Sequence, residues 1–226
     1  MAEVIVALDV PTATEAVGLV DRLPGLCWAK VGPMLFLRAG HEVVAALRER
    51  GIRVFLDLKW HDIPNSVAEA VRAAAELGVD LATVHALGGQ AMLEAAVAAK
   101  GPLRLAGVTI LTSHTLDSYQ QALGSARISE LSDEVVRMAA LVTEVGVDAV
   151  VASPHEVAAV RATVGPTPWI VTPGIRPAGH GVDDQRRTST PEAAVAAGAT
   201  HLVVGRPISR AKHPRAVYQS IVKAVS

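Results

Sequence analysis

The sequence predicts a (β/α)8 barrel, and three observations lead there. Eight short apolar, β-branched runs alternate with eight longer Ala-rich amphipathic segments along the chain. The short runs are almost uniformly apolar, which suits parallel strands covered on both faces. Polar residues interrupt those runs mainly at their C-terminal ends, where a barrel gathers its functional groups. Eight βα units in 226 residues average about 28 residues each, compact but within the range of such barrels. Periodicity alone leaves a doubly wound open sheet as the competing architecture. No linker or low-complexity stretch divides the chain, so one domain over 1–226 is expected.

In chain order, strands are read at 4–10, 27–32, 53–59, 81–86, 103–111, 148–153, 169–174 and 201–205. The first is VIVALDV and the last HLVVG, both rich in β-branched residues. Helices are read at 13–22, 34–49, 65–77, 89–99, 130–145, 155–163, 191–197 and 214–224. Several stop at glycine, as at Arg50-Gly51, Leu77-Gly78, Val145-Gly146 and Ala197-Gly198. Two longer irregular stretches, 112–129 and 174–190, follow the fifth and seventh strands. In a barrel both lie at the C-terminal face.

Composition narrows the function. Half of the residues are hydrophobic, 19% are charged, the net charge is −1 and the pI is about 6.7. That balance lacks the basic excess of a nucleic-acid or membrane-surface binder. The start, MAEVIVALDV, has no basic stretch before its apolar run, and no run reaches the ~18 residues of a membrane span, so a cytoplasmic protein is expected. The lone Cys27, in the apolar run Leu26-Cys27-Trp28, is read as a buried structural thiol rather than a nucleophile.

Polar residues at the strand ends carry the chemistry. Asp9 ends strand one, Lys30 strand two, Asp57 and Lys59 strand three, and His85 strand four. Strand five runs into Thr112-Ser113, strand seven into Pro173-Gly174 and strand eight into Gly205-Arg206. Strand ends are wetter than strand middles, which accounts for one or two such residues but poorly for seven strands of eight. The densest piece is FLDLKWHDIPNSV, 55–67. Asp57 and Lys59 are two apart on a strand and share a face. Asp62 follows just before Pro64, at the turn into the next helix. Charges crowded at a barrel mouth are costly to desolvate unless they pair. From spacing alone, a purely structural ion-pair cluster is the alternative reading.

A phosphate site is also legible. Barrels commonly hold phosphate with the loops after strands seven and eight. Here those loops offer Gly174 with Arg176, and Gly205 with Arg206. Glycine admits close backbone approach and arginine supplies a bidentate fork. Arg186 and Arg187 are read as solvated charges.

Taken together these motifs resemble the orotidine 5′-monophosphate decarboxylase family. Asp57-x-Lys59-x-x-Asp62-Ile63-Pro64-Asn65 looks like its signature, and ALDV (7–10) and AKVG (29–32) look like its first two strand motifs. Leu111-Thr112-Ser113 resembles its fifth strand end. Pro173-Gly174-Ile175-Arg176, with Asp184-Gln185-x-Arg187, resembles its seventh loop, and Val204-Gly205-Arg206-Pro207-Ile208 its eighth. The three-charge core alone is shared with sugar-phosphate lyases and synthases. Its combination with DIPN, PGIR, DDQ and VGRPI, in order from 7 to 208, is far more specific.

The resemblance implies decarboxylation of orotidine 5′-monophosphate to UMP in pyrimidine biosynthesis, with no cofactor and no metal. It implies that Lys30, Asp57, Lys59 and Asp62 form an alternating charge network, with Lys59 the proton donor. Asp62 would come from the other subunit of a homodimer. It assigns the pyrimidine to Thr112, with Ser113 a second contact, and the ribose to Asp9 and Lys30. The phosphate falls to Arg176, Gln185, Gly205 and Arg206. Ser66 departs from the usual threonine, which contacts the ribose from the neighbouring subunit; its hydroxyl survives the change. Trp60 is read as packing, and His61 and His85 as supporting residues. Two other readings remain open: a metal-dependent phosphosugar lyase or synthase of the same barrel group, and a non-catalytic phosphate-binding barrel.

Overall fold

Strands buried on both faces need hydrogen-bond partners along both edges, and a sheet closed on itself supplies them. A computed structural model of the chain describes residues 2–124, 128–177 and 187–226 and has this architecture. Strands β1 (Glu3–Ala7), β2 (Trp28–Val31), β3 (Arg53–Trp60), β4 (Leu81–His85), β5 (Arg104–Val108), β6 (Ala149–Val151), β7 (Trp169–Thr172) and β8 (His201–Val204) form a closed parallel barrel in sequence order. Closure is made where Ile5 of β1 pairs with Val203 of β8. The open doubly wound sheet is thereby excluded.

Around the barrel run α1 (Ala13–Asp21), α2 (Pro33–Ala39), α3 (Glu42–Arg48), α4 (Pro64–Glu76), α5 (Gly89–Ala99), α6 (Leu116–Leu123), α7 (Leu131–Glu144), α8 (Val157–Val164), α9 (Pro191–Ala196), α10 (Arg206–Ser209) and α11 (Pro214–Val225). Three of these, α2, α3 and α6, correct the sequence reading. The helix expected at 34–49 is broken into α2 and α3, because Gly40 takes φ 59 and ψ −149 and ends the first turn set. The stretch 112–129 contains α6, started by a capping box of Thr115 and Ser118 and stopped by the left-handed Gly124.

Alternation along each strand sorts side chains into two cores. Ile5, Trp28, Phe55 and Leu81 fill the barrel interior, while Val4, Val6, Leu8 and Val54 pack outward beneath the helices. The reading of Cys27 as a buried thiol is corrected, since this residue lies after a turn and just ahead of β2. Leu26 packs in the outer core and Trp28 in the barrel interior, and Cys27 between them is exposed.

The N-terminal end of the barrel is plugged. The strand-opening residues Trp28, Trp169 and His201 stack edge and face, with ring centroids 4.3 to 6.2 Å apart. The guanidinium of Arg53 lies over Trp28 and that of Arg104 over Trp169, while Glu3 accepts from Trp28 Nε1 at 2.7 Å. Space for a ligand is left at the opposite, C-terminal end. Among the described residues, no helix is long and apolar enough to cross a membrane.

Candidate active site

The interior residues give way to charge within one turn of the strand ends. A cavity of about 220 Å³ opens there, floored by Ala7, Phe55 and Val203 and walled by Asp9, Lys30, Asp57, Lys59, Thr112, Arg176, Gly205 and Arg206. Residues from seven of the eight strands or their following loops thus meet in one cup, with Val151, Ala152 and Ser153 contributed by β6 and the loop after it. Of the residues singled out in the sequence, these eight are brought together. Asp62 and Ser66 are not: both are exposed and lie off the cavity wall, and Asp62 accepts from the Ile63 N–H at 2.6 Å. Ser113 is likewise exposed and outside the lining. Gln185, Asp184 and Arg186 lie outside the described residues.

Asp57 is the electrostatic centre. Its Oδ2 lies 3.5 Å from Lys30 Nζ, and its Oδ1 accepts from Lys59 Nζ at 2.8 Å. Lys30 Nζ also reaches Asp9 Oδ1 at 3.2 Å, so one ammonium bridges two carboxylates. The chain of contacts runs Asp9, Lys30, Asp57, Lys59. Burial pushes the Asp57 pKa upward. The charges of Lys30 and Lys59 and hydrogen bonds from Lys59 and Thr83 outweigh that, holding it below the ordinary carboxylate value. Asp57 is therefore ionised at neutral pH.

Lys59 sits in an irregular backbone. Between Leu56 and Trp60 the β3 register shifts against β4, and Lys59 takes φ 54, the one positive φ of a non-glycine among the described residues. Spacing placed Asp57 and Lys59 on one face, and both do reach the cavity. They do so through a bulge, not a regular strand.

The glycines at the rim mark close approaches. A Cβ on Gly32 would stand 3.1 Å from Lys30 Nζ, and one on Gly205 3.3 Å from Asp9 Oδ2. On the phosphate side, Arg176 is buried and donates to the Ile175 carbonyl, directly after Gly174 with its φ of 81. Arg206 follows Gly205 at the start of α10 and also faces the cavity.

Two groups escape the sequence reading. Arg187, expected to be solvated, is buried: Nη1 pairs with Glu156 Oε1 at 2.6 Å, and Nη2 donates to the carbonyls of Ile110 and Leu111. Glu156 in turn accepts from Ser153, which lines the cavity. An arginine in a polar loop gives no sign of burial, and its acid lies 31 residues earlier. Thr83, also buried, bonds both Lys59 and Asp57. Trp60 packs against the outer core as expected. His61 and His85 stack at 5.5 Å, and burial, with help from His61 and Lys59, pushes the His85 pKa down to about 4. Among the described residues, no three His, Cys, Asp or Glu side chains gather as metal ligands would.

Fold and site together define a (β/α)8 barrel with a charge-lined cup at its strand C-termini, the place where enzymes of this fold carry their active sites. The family model for orotidine 5'-phosphate decarboxylase / HUMPS proteins matches residues 2–221. The chain is 49% identical to an orotidine 5'-phosphate decarboxylase of Halorhodospira halophila, over 98% of this chain and 95% of that one. It is 47% identical to the Moorella thermoacetica protein of the same name, covering 99% and 92%. A crystal structure of orotidine 5'-phosphate decarboxylase from Lactobacillus acidophilus superposes with a TM-score of 0.88 at 35% identity, covering both chains fully. This chain belongs to the orotidine 5'-phosphate decarboxylase / HUMPS family.

Proposed function

We propose that this chain is a carboxy-lyase that converts orotidine 5′-monophosphate to UMP and CO₂ in pyrimidine biosynthesis, without a cofactor, using Lys59 as proton donor. The observation that carries the reading is the buried Asp57 carboxylate held between the ammonium groups of Lys30 and Lys59 at the cavity wall. Breaking the ring-to-carboxylate bond leaves an electron pair on a ring carbon that no adjacent carbonyl stabilises well. A fixed ammonium steadies that charge as it forms. Lys59 then delivers a proton to the carbon and regains one from solvent. Asp57 stands beside the departing carboxylate and disfavours it before reaction.

Repulsion alone is too small. Two like charges about 4 Å apart at an effective dielectric near 20 repel by ~4 kcal/mol. Difficult reactions need barrier lowering of up to roughly 23 kcal/mol. The rest comes from stabilising the transition state and from binding energy of unreacting parts of the substrate, above all its phosphate. Arg176, Gly205, Arg206 and Gln185 hold that phosphate, Thr112 the pyrimidine, and Asp9 and Lys30 the ribose.

The reading makes the whole chain one catalytic domain, acting in the cytoplasm as a homodimer. Asp62 and Ser66 are then partner contributions, which suits their exposure away from the cavity of their own chain. Ile63 beside them is 67% exposed, and Met34 and Leu87 are also exposed apolar residues. All three lie just past the ends of the adjacent strands β2, β3 and β4. An apolar rim of that kind suits an obligate interface.

A metal-dependent phosphosugar lyase or synthase shares the three-charge core. Against it, Lys30 Nζ already occupies the position between the Asp9 and Asp57 carboxylates. The deciding experiment follows orotidylate absorbance with chelator present, beside a keto-hexulose phosphate as alternative substrate. Undiminished orotidylate turnover is expected. Turnover of the sugar phosphate alone, lost on chelation, would reverse the assignment.

A further inference from the structure

The proton donor proposed above is held by a residue outside every motif quoted for the family. Between Leu56 and Trp60, β3 advances four positions while β4 advances two, from Ala82 to Val84. Lys59 sits in this bulge with φ 54, a left-handed conformation that a residue with a Cβ adopts only when its surroundings enforce it. The bulge also takes the Lys59 N–H out of the strand ladder, and a buried N–H needs an acceptor.

Thr83 of β4 provides it. Its Oγ1 accepts from the Lys59 N–H at 2.7 Å and lies 3.2 Å from Asp57 Oδ1, to which it donates. That same Asp57 oxygen accepts from Lys59 Nζ at 2.8 Å. Lys59 backbone, Thr83 hydroxyl, Asp57 carboxylate and Lys59 ammonium therefore close a ring. Thr83 is 1% exposed, so water does not compete for its hydroxyl. A hydroxyl has one proton. Because Asp57 takes it, the Thr83 lone pairs are left to face the Lys59 N–H. Nothing else in β4 supplies a side-chain hydroxyl at this level, since Val84 follows and Ala82 precedes.

We propose that Thr83 is a positioning residue for decarboxylation, fixing the left-handed backbone of Lys59 and the orientation of Asp57 through one buried hydroxyl. The inference rests on the reading of Lys59 and Asp57 as the reacting pair. Thr83 does not line the cavity, so its loss acts on chemistry through those two groups and leaves the phosphate and pyrimidine contacts in place.

The test compares kcat and KM for orotidylate, and Kd for UMP, in wild type, Thr83→Val and Thr83→Ser. Valine keeps the shape and removes the hydroxyl. Its kcat should fall roughly 10- to 100-fold, the size of effect a misplaced catalytic group produces. KM and the UMP Kd should stay within about threefold. Serine restores the hydroxyl and should recover kcat to within about threefold of wild type. Should Thr83→Val fail to fold, Thr83→Cys, with its weaker hydrogen bonds, replaces it and should give a loss between those of serine and valine. A kcat for valine or cysteine equal to wild type overturns the assignment to Thr83 while the decarboxylase reading stands. So does a loss that serine fails to repair. A wild-type chain inert toward orotidylate overturns both.

Discussion

Replacing Arg187 by methionine should lower thermal stability sharply and weaken substrate binding. Arg187 is 8% exposed and its partner Glu156 5% exposed, with 2.6 Å between Nη1 and Oε1. Deleting one member of a buried pair strands the other charge, at a cost of about 3–5 kcal/mol. The Ile110 and Leu111 carbonyls also lose a donor, but Leu111 is 38% exposed and water can reach it, which keeps the total near that range. For a chain of this size each kcal/mol moves Tm by roughly 2–4 °C, so a fall of roughly 6–20 °C is expected. The double variant Glu156→Leu, Arg187→Met should regain much of it, because no buried charge is left unpaired. Arg187 also joins the segment after the phosphate loop to the carbonyls just before Thr112, so KM for orotidylate should rise in the single variant. Far-UV circular dichroism on heating and steady-state kinetics measure both. A Tm within about 2 °C of wild type would refute the buried pair as the anchor of this loop.

Three further outcomes follow from the site. Arg206→Ala should weaken UMP binding by roughly 10- to 100-fold while leaving uridine almost unaffected, since a charge-assisted contact to phosphate is lost; equal losses by calorimetry would remove Arg206 from the phosphate. Mixing inactive Asp62→Ala and Lys59→Ala chains should restore roughly a quarter of wild-type activity through hybrid dimers carrying one intact site; no recovery despite proven subunit exchange contradicts a shared site. Acid should destabilise the fold through His85, whose pKa falls from 6.5 to about 4 on folding. The unfolded chain binds the extra proton between those values, so this contribution is complete above about pH 6.5 and is lost as pH drops toward 4. Urea midpoints measured across that window should fall, and less steeply in His85→Gln; identical slopes would reject the assignment.

Much of this was legible in the residues. Apolar β-branched runs announced strands buried on both faces, and Lys30, Asp57 and Lys59 stood out because a charge inside such a run needs a reason. What stayed hidden depends on contacts that spacing does not encode. Thr83 reads as an ordinary strand former in LATVH, and only the bulge opposite gives its hydroxyl a task. Arg187 looked solvated because its acid, Glu156, belongs to another βα unit. Cys27 and α6 were different, since their signals were present. Pro24 and Gly25 mark a turn that sets Cys27 ahead of the strand rather than inside it. Thr115, Ser118 and Gly124 bracket the spacing of Leu116, Tyr119 and Leu123 as helix caps would.

Lys59→Ala removes the proposed proton donor, with orotidylate turnover and UMP affinity measured on the same chelator-treated preparation. Turnover should be abolished while UMP binds within about threefold of wild type, because the ammonium acts on the anion formed during reaction and the phosphate grip lies elsewhere. Near-normal turnover in the alanine variant would remove Lys59 from the protonation of the ring carbon.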